Sequence, residues 1–412
     1  MISKVKNSFS IYKNLPRSIY VLFFARTINS LGVFVYPFMT LFLTQKLGMS
    51  PGRAGFIIML TGLAAAPGSL LGGKLADHFG RKRLLVAAEF ISACSYIPCA
   101  FLGSSPLIPW FLIVGQFFMG VVHPLTTAMV TDLTVPETRK AGFSLMYLGH
   151  NLGFAVGPLV AGYLYRTHTP WIFLGDALTT FISLVLVLAL VRETIPDREA
   201  IEASRLTDSP ERAEDGNALK LLLARPRLLF FALMVAVIQF VYAQLSFSFP
   251  LFLSDIFGER GPSLFGSAMS LNAVIVILCT AMVISLTRNF RPAFSLTLTG
   301  LLYSLGLGVL FFLHSYALIL AAVFVLTIGE ILGATNIDVY IANHTPMTHR
   351  GRFNSIFPLI METGFFLSPV IMGNYIERLG IRSVWPLCFF LGMISVTGFF
   401  ILWITERGRK HG

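Results

Sequence analysis

Long apolar stretches alternate with short polar loops along almost the whole chain. A search in windows of roughly 19 residues, the length that crosses a bilayer as a helix, places twelve such stretches. They lie at 19–45, 51–75, 83–102, 109–132, 141–165, 170–191, 227–254, 264–286, 293–313, 316–342, 353–377 and 382–404. We number them span 1 to span 12. The pattern predicts an all-α membrane protein with twelve transmembrane helices.

A polar interval divides these spans into two sets of six. Residues 192–226 carry charges of both signs and little apolar content, which is typical of a linker outside the membrane. We therefore predict an N-terminal six-helix bundle over 1–191, a cytoplasmic linker over 192–226 and a C-terminal six-helix bundle over 227–412.

The two halves also resemble each other in sequence. The segment "VPETRKAGFSLMYLGHNLGFAVGPLVAGYLYR" after span 4 aligns, with one gap, with "TPMTHRGRFNSIFPLIMETGFFLSPVIMGNYIER" after span 10. Gly153 thereby matches Gly364, and Pro158 matches Pro369. Two pseudo-symmetric six-helix bundles related by a repeat are a transporter architecture, in which the binding site is expected near the bilayer midplane between the repeats.

The composition agrees with a membrane protein. Of the 412 residues, 55% are hydrophobic and only 12% are charged, whereas a soluble domain carries about 25% charged residues. The net charge of +11 is compatible with nucleic-acid binding, but the basic residues lie in short loops, as in proteins that use them to fix their orientation in a bilayer. We therefore expect no nucleic-acid partner, both termini in the cytoplasm and a multi-pass protein of the inner (cytoplasmic) membrane. The four cysteines lie in apolar segments, which favours neither disulfides nor a metal site.

The stretch "GGKLADHFGRKRLL" forms the predicted turn between spans 2 and 3. Gly73 and Gly80 permit a tight backbone path, and Arg81 with the two basic residues after it holds the turn in the cytoplasm. Asp77 has two interpretations. It is a solvated part of this topology signal, or it pairs with a cation or a helix N-terminus in one conformer only and so biases a two-state motion.

This turn resembles the loop motif of the major facilitator superfamily, and "GFAVGPLVAG" resembles the helix-five motif of its drug:proton antiporters. The segments "ETRKAGFSLMYLGHNLG", "QLSFSFPLFL" and "IGEILG" are similar to LmrP-like multidrug transporters. The resemblance covers the whole chain. In this turn we expect Gly73, Asp77, Gly80 and Arg81 to form part of a conformational switch. Two positions depart from the motifs: Gln116 stands where an arginine is usual, and Met146 where LmrP-like proteins place a carboxylate.

Span 5 is expected to bend, because Pro158 cannot donate a hydrogen bond to the helix. Gly153 and Gly157 recur on nearby faces and allow close packing of helices. The resemblance implies that these three residues act as a hinge and a seal that limits leakage in exporters. Ordinary small-residue packing is the alternative.

Ionisable residues inside a span cost about 3 kcal/mol or more and are therefore candidate sites. Glu330 lies about fourteen residues, or about 21 Å, into span 10 from its outer end, near the midplane. A buried carboxylate suits the loading and release of protons, and the resemblance implies a role of Glu330 in ligand and proton handling. A satisfied interhelical hydrogen bond is the alternative. Glu362 in span 11 and Asp176 in span 6 are further candidates for proton coupling.

Three charged residues of the N-terminal half form a second predicted group. Arg26 in span 1 and Glu89 in span 3 enter from the cytoplasmic face to similar depth, and Asp132 lies at the cytoplasmic end of span 4. We expect an ion pair or triad among them, with either a structural or a functional role.

An aromatic cavity is the predicted substrate site. The chain contains 38 Phe and 14 Met, residue types that suit lipophilic and cationic ligands. Polar residues interrupt the Phe-rich span 7, and Pro250 is expected to break its outer end. His123 is a mid-span residue that could titrate, with a hydrogen-bonded core histidine as the alternative. We expect the cavity to be lined by Arg26, His123, Asn151, Gln239, Tyr242 and Gln244.

These features together predict a secondary active transporter. We expect a monomer that exports lipophilic or amphiphilic small molecules in exchange for protons by alternating access, with no cofactor besides the proton gradient. A proton-coupled symporter of a small metabolite and a lipid or lysolipid flippase are the alternatives. An enzyme is not expected, since the spans contain no HExxH motif and no Ser/His/Asp set.

Overall fold

The structure is a computed structural model that describes residue 12 and residues 15–194, 226–344 and 360–408 of the chain. All regular elements in these ranges are helices. The first half contributes eight α-helices to these ranges, and a π-helical turn, Phe42–Lys46, follows the second of them. They are α1 (Arg17–Leu31), α2 (Val35–Leu41), α3 (Pro51–Phe79), α4 (Arg81–Phe101), α5 (Ile108–Asp132), α6 (Pro136–Phe154), α7 (Gly157–Thr167) and α8 (Pro170–Leu190).

The second half contributes seven α-helices to the described ranges. They are α9 (Pro226–Tyr242), α10 (Ser248–Phe257), α11 (Gly261–Thr287), α12 (Pro292–Gly308), α13 (Tyr316–His344), α14 (Thr363–Leu379) and α15 (Val384–Gly408). A 3-10 turn, Ala243–Leu245, lies between α9 and α10.

Nine helical stretches within the described residues are long and apolar enough to cross a membrane. One of them, Pro226–Thr287, contains the predicted spans 7 and 8 together. Spans 5 and 11 correspond to α6 with α7 and to α14, which are outside this set of nine. The structure therefore confirms an all-α membrane protein, while the number of twelve spans stays a prediction.

The chain divides into two compact units. The first consists of residues 1–48, 60–201 and 262–274, and the second of residues 49–59, 202–261 and 275–412. The first unit therefore includes a short segment of the second half, at the start of α11. The second unit includes a short segment of the first half, at the start of α3.

The helices of the two units pair in the same way. In the first unit α1 packs on α6 and α8, and α4 packs on α5 and α8. In the second unit α9 packs on α14 and α15, and α12 packs on α13 and α15. Expressed in spans, the pairs 1–5, 1–6, 3–4 and 3–6 become 7–11, 7–12, 9–10 and 9–12, a shift of six throughout. The repeat in the sequence is thus matched by a repeat in packing.

The two exchanged segments are also held in equivalent ways. A Cβ atom at Gly266 would lie 2.2 Å from the carbonyl oxygen of Pro158, and one at Gly55 would lie 2.0 Å from that of Pro369. Pro158 and Pro369 occupy matching positions of the repeat. Only glycine permits such an approach of two backbones, which explains why each segment groups with the unit it touches.

Within the described residues, spans 1, 5 and 7 are interrupted rather than continuous. Span 1 breaks between α1 and α2, span 5 between α6 and α7, and span 7 between α9 and α10. Pro158 is the second residue of α7, where a missing N–H costs no helical hydrogen bond. Pro250 is the third residue of α10, and the interruption of span 7 at residues 243–247 directly precedes it. A proline cannot donate to the carbonyl four residues before it, which here lies in the interruption, and the first turn of a helix tolerates this loss. The break thus lies next to Pro250, but before the predicted outer end of span 7.

Candidate functional site

The first unit contains a cavity of about 300 Å³ between α1, α5 and α6. Arg26 reaches it from α1, His123 and Thr126 from α5, and Tyr147 and His150 from α6. Met119, Met146 and Phe143 add apolar wall. The cavity therefore combines one guanidinium group, two imidazoles and an aromatic and thioether surface. Arg26 and His123, which we predict to line the substrate cavity, both line this one, together with His150, which is not among the predicted residues.

The His150 ring is held by neighbours outside the cavity. Its Nδ1 lies 3.0 Å from the hydroxyl oxygen of the buried Ser30 on α1, and its ring is 5.7 Å from that of Phe154. Its Nε2 has no hydrogen-bond partner among the described residues. One nitrogen thus positions the ring and the other is available to a ligand.

Arg26 and Glu89 do not form the expected ion pair. Among the described residues, no carboxylate oxygen lies within 4.0 Å of the Arg26 guanidinium, and the guanidinium makes no hydrogen bond to these residues. Glu89 acts on Arg26 only through a longer-range electrostatic attraction. The Glu89 side chain is 8% exposed, and its Oε2 lacks a partner in the described structure. Glu89 is buried on α4, while Arg26 lines the cavity, which Glu89 does not.

Asp132 pairs with Arg81 and not with Arg26 or Glu89. The Arg81 guanidinium contacts the Asp132 carboxylate and also donates from Nη1 to the carbonyl oxygen of Ala128 at 3.2 Å. Arg81 is the first residue of α4 and Asp132 the last residue of α5. The predicted triad is therefore corrected to a pair that ties the start of one helix to the end of the next.

Glu193, which belongs to the predicted linker, caps the start of α4. Its carboxylate accepts hydrogen bonds from the backbone N–H groups of Lys82 at 3.0 Å and Arg83 at 3.4 Å. Partial burial acts to raise the pKa of Glu193, but the backbone N–H donors of residues 81–83 and of Thr194 outweigh it and hold the pKa below its usual range. Gly80, with φ of 92°, directs the chain into α4 beside this carboxylate. The signal in the sequence was an acidic residue just after span 6.

Asp176 supports the break in span 1. Its Oδ2 accepts hydrogen bonds from the backbone N–H groups of Phe34 at 3.3 Å and Val35 at 3.2 Å. The Phe34 N–H also donates to the carbonyl oxygen of Gly32 at 2.6 Å, whereas the Val35 N–H belongs to the first residue of α2, where the helix itself offers no carbonyl partner. The geometry gives this predicted proton-coupling residue a capping contact.

In the second unit, two carboxylates meet one face of α9. The hydroxyl of Tyr242 donates to Oε1 of Glu330 at 3.0 Å, and Nε2 of Gln239 donates to Oε1 of Glu362 at 3.0 Å. Gln239 and Tyr242 are three residues apart, so they project from the same side of the helix. The Tyr242 ring stacks on Tyr303, with centroids 5.6 Å apart. The structure thus brings together four residues that the sequence could name only one by one.

Two predicted cavity residues instead hold backbone. Gln244 is fully buried and donates from Nε2 to the hydroxyl of Ser368 and, at 3.1 Å, to the carbonyl of Phe240. It thereby closes the broken turn of span 7 against α14. Asn151 is buried and donates to the carbonyl of Tyr147 at 2.9 Å. Both expectations are corrected, since an amide beside an open helical turn is satisfied by that turn.

The Asp77 side chain and the surroundings of Gly73 lie outside what the structure describes, as does most of the predicted linker. Gly153 and Gly157 pack closely on α1 within the first unit: added Cβ atoms would lie 2.4 Å from the carbonyl oxygen of Thr27 and 2.9 Å from that of Leu31. Across the described ranges, no three His, Cys, Asp or Glu side chains are grouped as a metal site.

Known proteins agree with this architecture. The profile of the Major Facilitator Superfamily matches residues 22–357. The chain is 26% identical over 324 residues to the uncharacterized MFS-type transporter YqjV of Bacillus subtilis (strain 168), which covers 77% of this chain and 75% of the relative. It is 24% identical over 368 residues to a Na(+), Li(+), K(+)/H(+) antiporter of Planococcus maritimus, covering 82% of this chain and 84% of that protein.

Solved structures show the same fold at lower identity. The crystal structure of a POT family transporter in complex with 5-aminolevulinic acid superposes with a TM-score of 0.73 and 17% identity, over 94% of this chain and 96% of that chain. The repeat in sequence, the repeat in helix pairing and the profile match lead to one conclusion: the chain is a multi-pass membrane transporter that belongs to the major facilitator superfamily.

Proposed function

We propose that the protein is a proton-coupled antiporter that exports small lipophilic or amphiphilic molecules by alternating access. The observation that carries the proposal is the pair of carboxylates that contact α9, where Glu330 of α13 accepts a hydrogen bond from Tyr242 and Glu362 accepts one from Gln239. Both donors are uncharged, so each carboxylate can gain or lose a proton without breaking the hydrogen bond to that donor.

The cavity of the first unit supplies the cargo site. Its aromatic and methionine side chains suit apolar bodies, while its imidazoles and guanidinium suit a polar head. The antiporter among the similar proteins and the resemblance to LmrP-like drug:proton antiporters support exchange against protons.

The driving force is sufficient without a bound cofactor. Each proton that moves through 100 mV releases about 2.3 kcal/mol, which sustains roughly a fiftyfold gradient of cargo. We propose that the protein acts as a monomer in the cytoplasmic membrane. We also propose that both termini lie inside, because the loops predicted on that side carry most of the basic residues.

Reconstituted vesicles test this function. Purified protein in liposomes with an imposed pH gradient is mixed with a panel of lipophilic cations, neutral amphiphiles and organic anions, and a pH-sensitive dye inside reports proton movement. We expect cargo to drive proton flux in the wild type. Glu330→Gln keeps cargo binding and abolishes this flux, because the amide cannot carry a proton.

The matched control is Asp255→Asn, which neutralises an exposed carboxylate of α10. It is expected to leave proton-linked transport unchanged. Unchanged flux in Glu330→Gln removes Glu330 from the coupling step, and no cargo-driven flux with any compound in the wild type refutes proton antiport.

A further inference from the structure

The Arg26 guanidinium has no neutralising contact in the part of the chain that the structure describes. It lies on a membrane-spanning helix and lines the cavity of the first unit. A guanidinium has five N–H donors, and a charge held away from bulk water is costly unless it is paired. Arg26 therefore lacks the partner that such a position requires.

The walls of the cavity contain no acid that could serve as this partner. None of its described lining side chains is Asp or Glu. Glu89 attracts Arg26 electrostatically but is buried on α4 and is not among the residues that line the cavity. Arg26 is therefore the charged side chain among the described lining residues, and it makes the electrostatic potential inside the cavity positive.

The other polar groups fit the same kind of ligand. His150 offers its second ring nitrogen and His123 its imidazole, and both can donate a hydrogen bond to an oxygen. The hydroxyls of Thr126 and Thr127 already donate to carbonyls of their own helix. Phe143, Met119 and Met146 would then contact an apolar body.

We infer that this cavity binds a small amphiphilic anion, with a carboxylate or similar oxyanion on Arg26 and an aromatic or aliphatic body against the apolar wall. The inference deepens the proposed function, because it names the class of cargo and rests on the cavity being the cargo site. The volume of about 300 Å³ lies at the lower end of the range of small-molecule sites, which limits the cargo to a compact molecule.

A series of ligands that differ only in charge tests the inference. Binding of 1-naphthoate, 1-naphthamide and 1-naphthylmethylammonium to the purified full-length protein in detergent is measured by calorimetry. We expect 1-naphthoate to bind about tenfold to a hundredfold more tightly than the amide, as a hydrogen bond to a charged group predicts. The ammonium ligand is expected to bind most weakly.

Substitutions assign the preference to one residue. Arg26→Gln is expected to abolish the preference for the anion. Arg26→Lys should retain part of it, since lysine keeps the charge but loses the forked geometry. Arg288→Gln makes the same change at an exposed arginine of the second unit and should leave the preference intact.

Equal binding of naphthoate and naphthamide, no binding of naphthoate, or an unchanged preference in Arg26→Gln overturns the inference. If Arg26→Gln does not fold, the charge series on the wild type decides alone. The assay needs no gradient, so it separates the two proposals. An anion-selective protein that exchanges nothing for protons refutes antiport only, and proton-linked transport without anion preference refutes this inference only.

Discussion

Asp176 and Glu330 show how one type of side chain acquires different tasks. Both are single acidic residues within apolar spans, and the residues beside them in the sequence do not show which groups their carboxylates contact. In the structure Asp176 accepts hydrogen bonds from two backbone N–H groups at the interruption of span 1. Glu330 accepts a hydrogen bond from a side-chain hydroxyl of α9. The neighbours on other helices make the distinction, and a sequence read along one helix does not contain them.

Asp176 is predicted to act in stability and not in proton coupling. Asp176→Asn keeps one oxygen acceptor and should retain proton-linked transport. Asp176→Ala removes the carboxylate acceptor of the Val35 N–H and one of the two acceptors of the Phe34 N–H, and it should lower the free energy of unfolding by about 1–3 kcal/mol. Transport in liposomes and unfolding in detergent measure the two effects. Loss of proton coupling in Asp176→Asn at unchanged stability contradicts the capping role.

At the scale of elements, the start of α4 is stabilised from two directions. Arg81 joins it to the end of α5 through Asp132, and Glu193 caps its first N–H groups from the segment after α8. A carboxylate at a helix N-terminus is favoured both by hydrogen bonding and by the helix dipole. The turn between spans 2 and 3, which the sequence identifies as a basic loop, is therefore a junction of three helices.

The cap predicts a dependence of stability on pH. The folded-state pKa of Glu193 is lowered, so its contribution is complete above the unfolded pKa of about 4.3 and is lost as pH falls through the folded-state pKa. Glu193→Gln should lower stability by about 0.5–1 kcal/mol at pH 7, since the carboxylate is exposed to screening.

Equilibrium unfolding in detergent across pH measures this effect. The difference between wild type and Glu193→Gln should be constant from pH 8 to about 5 and should decrease as Glu193 becomes protonated below that range. Glu259→Gln, an exposed acid of the second unit, is the control. A difference that persists unchanged at acid pH contradicts the cap.

At the scale of the whole molecule, the repeat extends from sequence to packing. Gly153 brings α6 against α1, where an added Cβ would lie 2.4 Å from the carbonyl oxygen of Thr27. Gly364, its match in the repeat, brings α14 against α9, where a Cβ would lie 1.8 Å from the carbonyl oxygen of Ala236. Each unit thus uses one glycine at the same place to bring two helices into contact.

Both glycines are predicted to be equally intolerant of a side chain. Gly153→Leu and Gly364→Leu should each destabilise the protein by about 3 kcal/mol or more, because backbone cannot move aside as a side chain can. Ala87→Leu, at an exposed position of α4, should change little. Thermal unfolding of the three variants in detergent is the measurement. Destabilisation by only one glycine variant contradicts the structural equivalence of the repeat.

The sequence by itself determined the fold class, the internal repeat and the family, because each rests on properties that run along the chain. Apolar length specifies a membrane helix, and a duplicated segment is visible as matching letters. It also identified Arg26, His123, Glu330 and Glu362 as unusual, since a charge or imidazole in an apolar span is costly wherever it points.

Only the tertiary structure decided the partners of these residues. Asp132 lies with Arg81, Gln244 closes a broken turn, and Glu193 caps a helix more than a hundred residues before it in the chain. Such contacts depend on which faces of different helices meet, and helical periodicity indicates that a face exists without naming its neighbour. Packing also decides that Arg26 has no ion-pair partner among the residues that the structure describes, because packing sets the distance between α1 and the Glu89 side chain.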